Sequence, residues 1–235
     1  MTTTLITGAN KGLGRETARR LLAAGHTVYI GSRDPERGRA TAAELGARHV
    51  VIDVTDEESV AAAARTIEAD GGLDVLVNNA GIEGRTEGNG IVAPADETVD
   101  TLRPLFETNV FGTLRVTHAF LPLLHRSAAP VIVNVSSGLA SMALVTDPAA
   151  PAHGYPGIAY PASKTAVNML TVQYAKAFPR LRVNSVEPGF TRTDLNGNQG
   201  TQTVEEGAEI IVRMAQVAPD GPTGGFFDAA GPVGW

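Results

Sequence analysis

Leu5-Ile6-Thr7-Gly8-Ala9-Asn10-Lys11-Gly12-Leu13-Gly14 runs from a short apolar segment, through a glycine-rich turn, into an amphipathic stretch. Glycine lets a backbone turn tightly and approach an anion without a Cβ in the way. A helix that starts at such a turn offers free N–H groups and a partial positive charge. Glycines alone would signify little, but their place between an opening strand and a helix predicts a nucleotide phosphate cradle.

Outward from this turn, short Val- and Ile-rich runs alternate with longer segments of helical spacing. Leu5–Thr7, Thr27–Gly31, His49–Ile52, Val75–Asn78, Val131–Val135 and Arg182–Val186 read as buried strands. Gly12–Ala24, Pro35–Leu45, Asp56–Asp70, Val99–Leu124 and Tyr160–Phe178 read as helices. Asp34 and Asp56 suit N-caps, Pro35 suits a first helical position, and Gly25 and Gly46 mark helix ends. The alternation predicts an α/β chain: a Rossmann-type, doubly wound parallel sheet of about seven strands with helices on both faces, in a single domain spanning 1–235. Gly- and Pro-rich stretches at 82–96 and 141–159 interrupt the rhythm after strands, where open α/β sheets bind ligands, and 190–202 is a third candidate substrate loop.

The bulk composition narrows the function. The 235 residues carry a formal charge of −6 with acids and bases interspersed, so no basic stripe invites nucleic acid. Cysteine is absent, and the five histidines lack ligand spacing, so no metal is expected. His118 and His125 are expected at the surface, and His153 is a candidate substrate contact. No apolar run suggests a membrane span and no signal peptide is visible. A cytoplasmic protein is the expectation.

The second strand ends Ile30-Gly31-Ser32-Arg33-Asp34. Dinucleotide folds that take NAD place an acid there for the adenosine ribose. Ser32 stands at that position instead, Arg33 follows, and Lys11 adds a cation from the glycine turn. Two cations and no acid favour the 2′-phosphate of NADP(H).

The ordered set Thr7-Gly8…Gly12-x-Gly14, Asp53-Val54, Asn78-Asn79-Ala80-Gly81, Asn109, Ser136-Ser137, Tyr160-Pro-Ala-Ser-Lys164 and Pro188-Gly189-Phe190-x-x-Thr193 strongly resembles the short-chain dehydrogenase/reductase family over almost the full length. Gly31-Ser-Arg33-Asp34 with Arg37, the insertion before Tyr160 and the tail from Gly221 to Trp235 resemble its NADPH-dependent carbonyl reductases. The resemblance implies that Gly8, Asn10, Lys11, Gly12, Leu13 and Gly14 cradle the cofactor, with Ser32, Arg33 and Arg37 near its 2′-phosphate. It places Asp53 and Val54 about the adenine, and Asn79, Ala80 and Gly81 at the ribose. Pro188, Gly189, Phe190, Thr191 and Thr193 would hold the nicotinamide and pyrophosphate. The tail is short, which favours a monomer, a homodimer being the other state expected.

Reducing a carbonyl needs a proton donor and a partner for the developing alkoxide. Lys164 lies one helical turn after Tyr160, so its ammonium is expected to lower the phenol's pKa and make Tyr160 the acid/base. Strand alternation and the family pattern favour Ser137 over Ser136 as the group that bonds the substrate oxygen. By the resemblance, Lys164 also contacts the nicotinamide ribose, and the backbone of Asn109 holds a water that relays protons to Lys164. Ile82–Arg85, Gly138–Ser141, Tyr155, Phe190 and 194–202 would wall the substrate. They form no cationic clamp, so an uncharged ketone, aldehyde or quinone is expected, reduced to the alcohol. Two other functions fit the fold: a non-catalytic NADP(H) redox sensor, and an epimerase or dehydratase of the extended branch, which needs a larger carboxyl-terminal domain. A Ser-His-Asp hydrolase is disfavoured because no Gly-x-Ser-x-Gly elbow is present.

Overall fold

A computed structural model describes residues 2–235. The strands are β1 (Thr3–Thr7), β2 (Thr27–Ser32), β3 (Arg48–Val51), β4 (Val75–Asn78), β5 (Val131–Val135), β6 (Arg182–Val186) and β7 (Phe226–Phe227). The α-helices are α1 (Gly12–Ala23), α2 (Pro35–Leu45), α3 (Glu57–Ala69), α4 (Val99–Leu105), α5 (Gly112–Arg126), α6 (Met142–Thr146), α7 (Ala159–Ala177) and α8 (Val204–Ala215). All strands pair in parallel in one sheet of order β3-β2-β1-β4-β5-β6-β7. The doubly wound α/β expectation holds.

Side-chain alternation along the strands explains the layers. Leu5, Leu76 and Ile132 point to one face, where Ile67 of α3 and Val116 and Phe120 of α5 cover them. Their neighbours Ile6, Val77 and Val133 point to the other, under Leu21 of α1 and Ile210 and Met214 of α8. Strands buried on both faces lose the polar alternation of a half-exposed strand, which is why they read as continuous apolar runs.

Asp34 and Asp56 cap α2 and α3 as expected, each accepting two backbone N–H bonds. The single long helix expected over Val99–Leu124 is interrupted: residues Phe106–Phe111 form a wide π turn between α4 and α5. Pro104, just upstream, has no N–H for the carbonyl one turn back. Three elements were not read from the sequence: β7, α8 and α6, the last within the stretch 141–159 expected to be a loop. β7 has only two residues, too short for any periodicity, and α8 follows a polar loop closed by a Thr203–Glu206 capping box. The strand order switches direction between β1 and β4, which opens a crevice beyond their carboxyl ends.

Candidate active site

That crevice is a cleft of about 1440 Å3, larger than the roughly 300–1,000 Å3 of a pocket for one small ligand. Its first half is built on the glycine turn. Gly8 holds φ +63°, and a Cβ there would lie 3.0 Å from the Ala80 Cα. A Cβ on Gly14 would meet the Asn79 Nδ2 at 2.6 Å. Asn79 needs that space: its Nδ2 donates to the Thr7 carbonyl at 2.8 Å. The Thr7 hydroxyl accepts from the Asn79 and Ala80 N–H groups, at 3.0 Å each. β1 and β4 thus hold the glycine turn open, with its backbone free of side chains.

Asn10, Lys11, Gly12, Leu13, Arg33, Asp53, Val54 and Gly81 line the same half, and Pro188, Gly189, Phe190, Thr191 and Thr193 close it from β6. Arg33 makes no ion pair among the described residues. The Asp53 carboxyl is pushed up by burial, but Thr55's hydrogen bonds and the charges of Arg33 and Arg115 outweigh this and hold it below its ordinary value. Two expected contacts fall elsewhere. Ser32 is 2% exposed, and its hydroxyl donates to the Asp34 carbonyl at 2.9 Å. Arg37 pairs with Asp34 at 3.3 Å, outside the cleft lining. Both are drawn away by the cap of α2. Lys11 reaches across the mouth to Asp194, Nζ to Oδ2 2.8 Å.

The second half is lined by three of the four residues expected to be catalytic, Ser137, Tyr160 and Lys164; Asn109 lies buried behind the lining. Tyr160 and Lys164 share one face in the first turns of α7, with Lys164 Nζ 5.8 Å from the phenol ring centroid. The Nζ donates to the Val135 carbonyl at 2.8 Å. Ser137, at the end of β5, lines the cleft and interacts with the Tyr160 hydroxyl. Ser136 points inward, its hydroxyl toward the Lys164 carbonyl. Asn109, 1% exposed, sits in the π turn and clasps Ile82 twice, accepting from its N–H and donating to its carbonyl at 2.9 Å each. The Asn109 carbonyl accepts the Thr113 hydroxyl at 2.8 Å.

One electrostatic expectation is reversed. Burial, then the charge of Glu83, push the Tyr160 phenol above its ordinary value, against a smaller opposing effect of Ser137. Burial also brings Lys164 down to about 8. Low polarity around the pair disfavours phenolate and ammonium alike, so proximity of the lysine does not win.

The geometry agrees with known proteins. Residues 2–204 match the short chain dehydrogenase family. The chain belongs to that family. It is 31% identical to (+)-neomenthol dehydrogenase of Capsicum annuum, over 95% of this chain and 94% of the other. The structure of salutaridine reductase from Papaver somniferum matches with a TM-score of 0.85 and 29% identity, over 97% of this chain and all of the other. An NADPH-bound carbonyl reductase from chicken fatty liver matches with a TM-score of 0.85 and 26% identity, over 100% and 99%. This short chain dehydrogenase is therefore an oxidoreductase of a family that uses nicotinamide cofactors.

The lining of the dehydrogenase's cleft holds charges that the sequence left unsorted. Arg85 is present as expected, but it forms a bidentate pair with Glu83, Nε–Oε2 2.8 Å and Nη2–Oε1 3.1 Å. Glu187, after β6, also lines the cleft; burial, then Asp228, raise its carboxyl above the ordinary range. Glu83 falls within the Ile82–Arg85 stretch expected at the wall, whereas Glu187 belongs to no expected set and only the fold brings it to the cleft. His153 is exposed and bonds the Val145 carbonyl, outside the lining, and His118 and His125 are exposed as expected. Among the described residues no cluster could hold a metal, and no helix is long and apolar enough to cross a membrane.

Proposed function

We propose that the protein is an NADPH-dependent reductase of uncharged ketones, aldehydes or quinones, with Tyr160 as the proton donor. The observation that carries this is the convergence of the Tyr160 phenol, the Ser137 hydroxyl and the Lys164 amine on one wall of a cleft whose other half is a glycine cradle beside Arg33, which makes no ion pair among the described residues. Bound there, the nicotinamide supplies the hydride.

The chain's own groups do the rest. Ser137 donates a hydrogen bond to the substrate oxygen and holds it beside the phenol. Tyr160 delivers its proton to that oxygen as negative charge develops. The phenol, held above its ordinary value, is protonated at neutral pH, the state a proton donor needs. Lys164, fixed by Val135, reaches the cofactor ribose. Asn109 fixes the Ile82 loop beside it, and its backbone carries the proposed relay water. Arg33, with Lys11 once released from Asp194, faces the 2′-phosphate. Asn10, Gly12, Leu13 and Gly14 follow the pyrophosphate, Asp53 and Val54 the adenine, and Pro188 to Thr193 the nicotinamide end. The loops at 82–96, 141–159 and 190–202 form the substrate wall of a single domain.

The test is nicotinamide absorbance with NADPH and a panel of neutral carbonyls, run beside Tyr160→Phe. Removing the proton donor while keeping the ring should lower kcat about 10²–10⁴-fold. Undiminished turnover by the Phe variant overturns the role. NADPH binding with no turnover of any carbonyl favours the sensor instead.

A further inference from the structure

The cleft lining also contains an ion pair that no motif announces, Glu83 with Arg85. The side chains of Glu83 and Arg85 are 6% and 13% exposed. Their bidentate contact matches the planar fork of guanidinium to both carboxylate oxygens. The Tyr155 hydroxyl donates to the Glu83 Oε1 at 3.2 Å. The Arg85 Nη1 donates to the Asn89 carbonyl at 2.9 Å and to the Gln199 side-chain oxygen at 3.3 Å. One ion pair therefore joins three loops: 82–91, the segment carrying Tyr155, and 194–202. All three line the cleft.

We propose that Glu83 is a specificity-determining residue: it holds Arg85 in the brace, so that the buried part of the substrate wall presents no free positive charge, Arg192 lying exposed in the 190–202 loop, and carboxylate-bearing carbonyl compounds are rejected there. The inference rests on the proposed carbonyl reductase activity. Two physical arguments support it. Arg85 cannot lose its proton, so only an opposite charge can neutralise it in a site this enclosed. Among the described residues, Lys164 is the other buried cation of this half, and its Nζ is engaged by the Val135 carbonyl. Without Glu83's charge, Arg85 would be a partly buried cation in need of an anion. A substrate carboxylate could then take the bidentate site.

The test compares the natural protein with Glu83→Gln and Arg85→Met on matched pairs, a keto acid and its methyl ester, with NADPH. Glutamine keeps the shape and a hydrogen bond to Tyr155 but removes the charge. The expected result is a rise of tenfold or more in the acid-to-ester ratio of kcat/KM for Glu83→Gln, carried mainly by KM, and no such rise for Arg85→Met. A ratio unchanged in Glu83→Gln, or raised equally in both variants, overturns the proposal. A merely structural role would lower both members of each pair together. If the natural protein reduces neither, the carbonyl reductase reading itself fails. Amide hydrogen exchange then tests the brace without substrate. Faster exchange at both 150–157 and 194–202 in Arg85→Met supports it, and change confined to 82–91 overturns it.

Discussion

Lys164 shows how one residue couples activity to stability. Burial alone brings its folded value to about 8, from 10.5 in the free side chain. Between those values the unfolded chain binds more protons than the folded one, so unfolding free energy rises with pH across that window. The penalty is full below about pH 8 and disappears above 10.5. Each tenfold change in proton affinity is worth about 1.4 kcal/mol, so the whole effect amounts to roughly 3 kcal/mol. Lys164→Met removes this dependence and leaves the Val135 carbonyl unpaired, a cost that does not vary with pH. Denaturant melts from pH 7 to 10.5 should show the natural protein gaining on the Met variant by a few kcal/mol as pH rises. A constant difference would mean that the folded amine keeps the proton affinity of the free side chain, as a solvated one does. At this scale the sequence showed which residues meet but not their electrostatics. Tyr-x-x-x-Lys fixes a shared helical face, whereas the depth of burial, and Glu83 from another loop, decide which way the phenol moves.

Elements were legible where they carried periodicity or caps. The apolar runs gave β1 to β6, and Asp34 and Asp56 marked α2 and α3 because a carboxylate that caps N–H groups belongs at a helix start. The π turn at Phe106–Phe111 was hidden, since its residues keep the apolar spacing of a plain helix while Asn109 is turned inward onto Ile82. α8 shows what packing adds. A Cβ on Gly207 would sit 2.3 Å from the Thr191 hydroxyl, 2.9 Å from Leu13 Cδ2 and 3.0 Å from the Pro188 carbonyl. In an open helix, Gly→Ala stabilises by about 1 kcal/mol. Here it should push α8 away from the very loops proposed to hold the dinucleotide. Gly207→Ala is expected to lower stability by about 1–3 kcal/mol and to weaken NADPH binding about tenfold, read by thermal melts and fluorescence titration. A more stable variant with unchanged affinity would show that α8 can shift freely.

At the scale of the whole molecule, the order of strands places both halves of the cleft on one sheet edge, so a dinucleotide lying across it touches loops from both sides of the crossover between β1 and β4. A ligand that binds only the folded chain stabilises all of it. At a hundred times its Kd, NADPH should add about 2.7 kcal/mol, which for a chain of this length is a rise in Tm of roughly 5–10 °C. Charge predicts which nucleotide does this best. In the proposed binding mode a 2′-phosphate would meet Arg33, and no acid opposes it from the position of Ser32. NADPH should therefore raise Tm well beyond NADH at equal concentration. Arg33→Ala should remove most of that difference while leaving the NADH shift nearly intact, because it deletes a contact that only the phosphorylated nucleotide makes. Added salt should shrink the NADPH advantage in the natural protein, since the Arg33 site is open to solvent ions. Equal shifts from both nucleotides, insensitive to Arg33 and to salt, would refute the NADP preference while leaving the dinucleotide cleft in place.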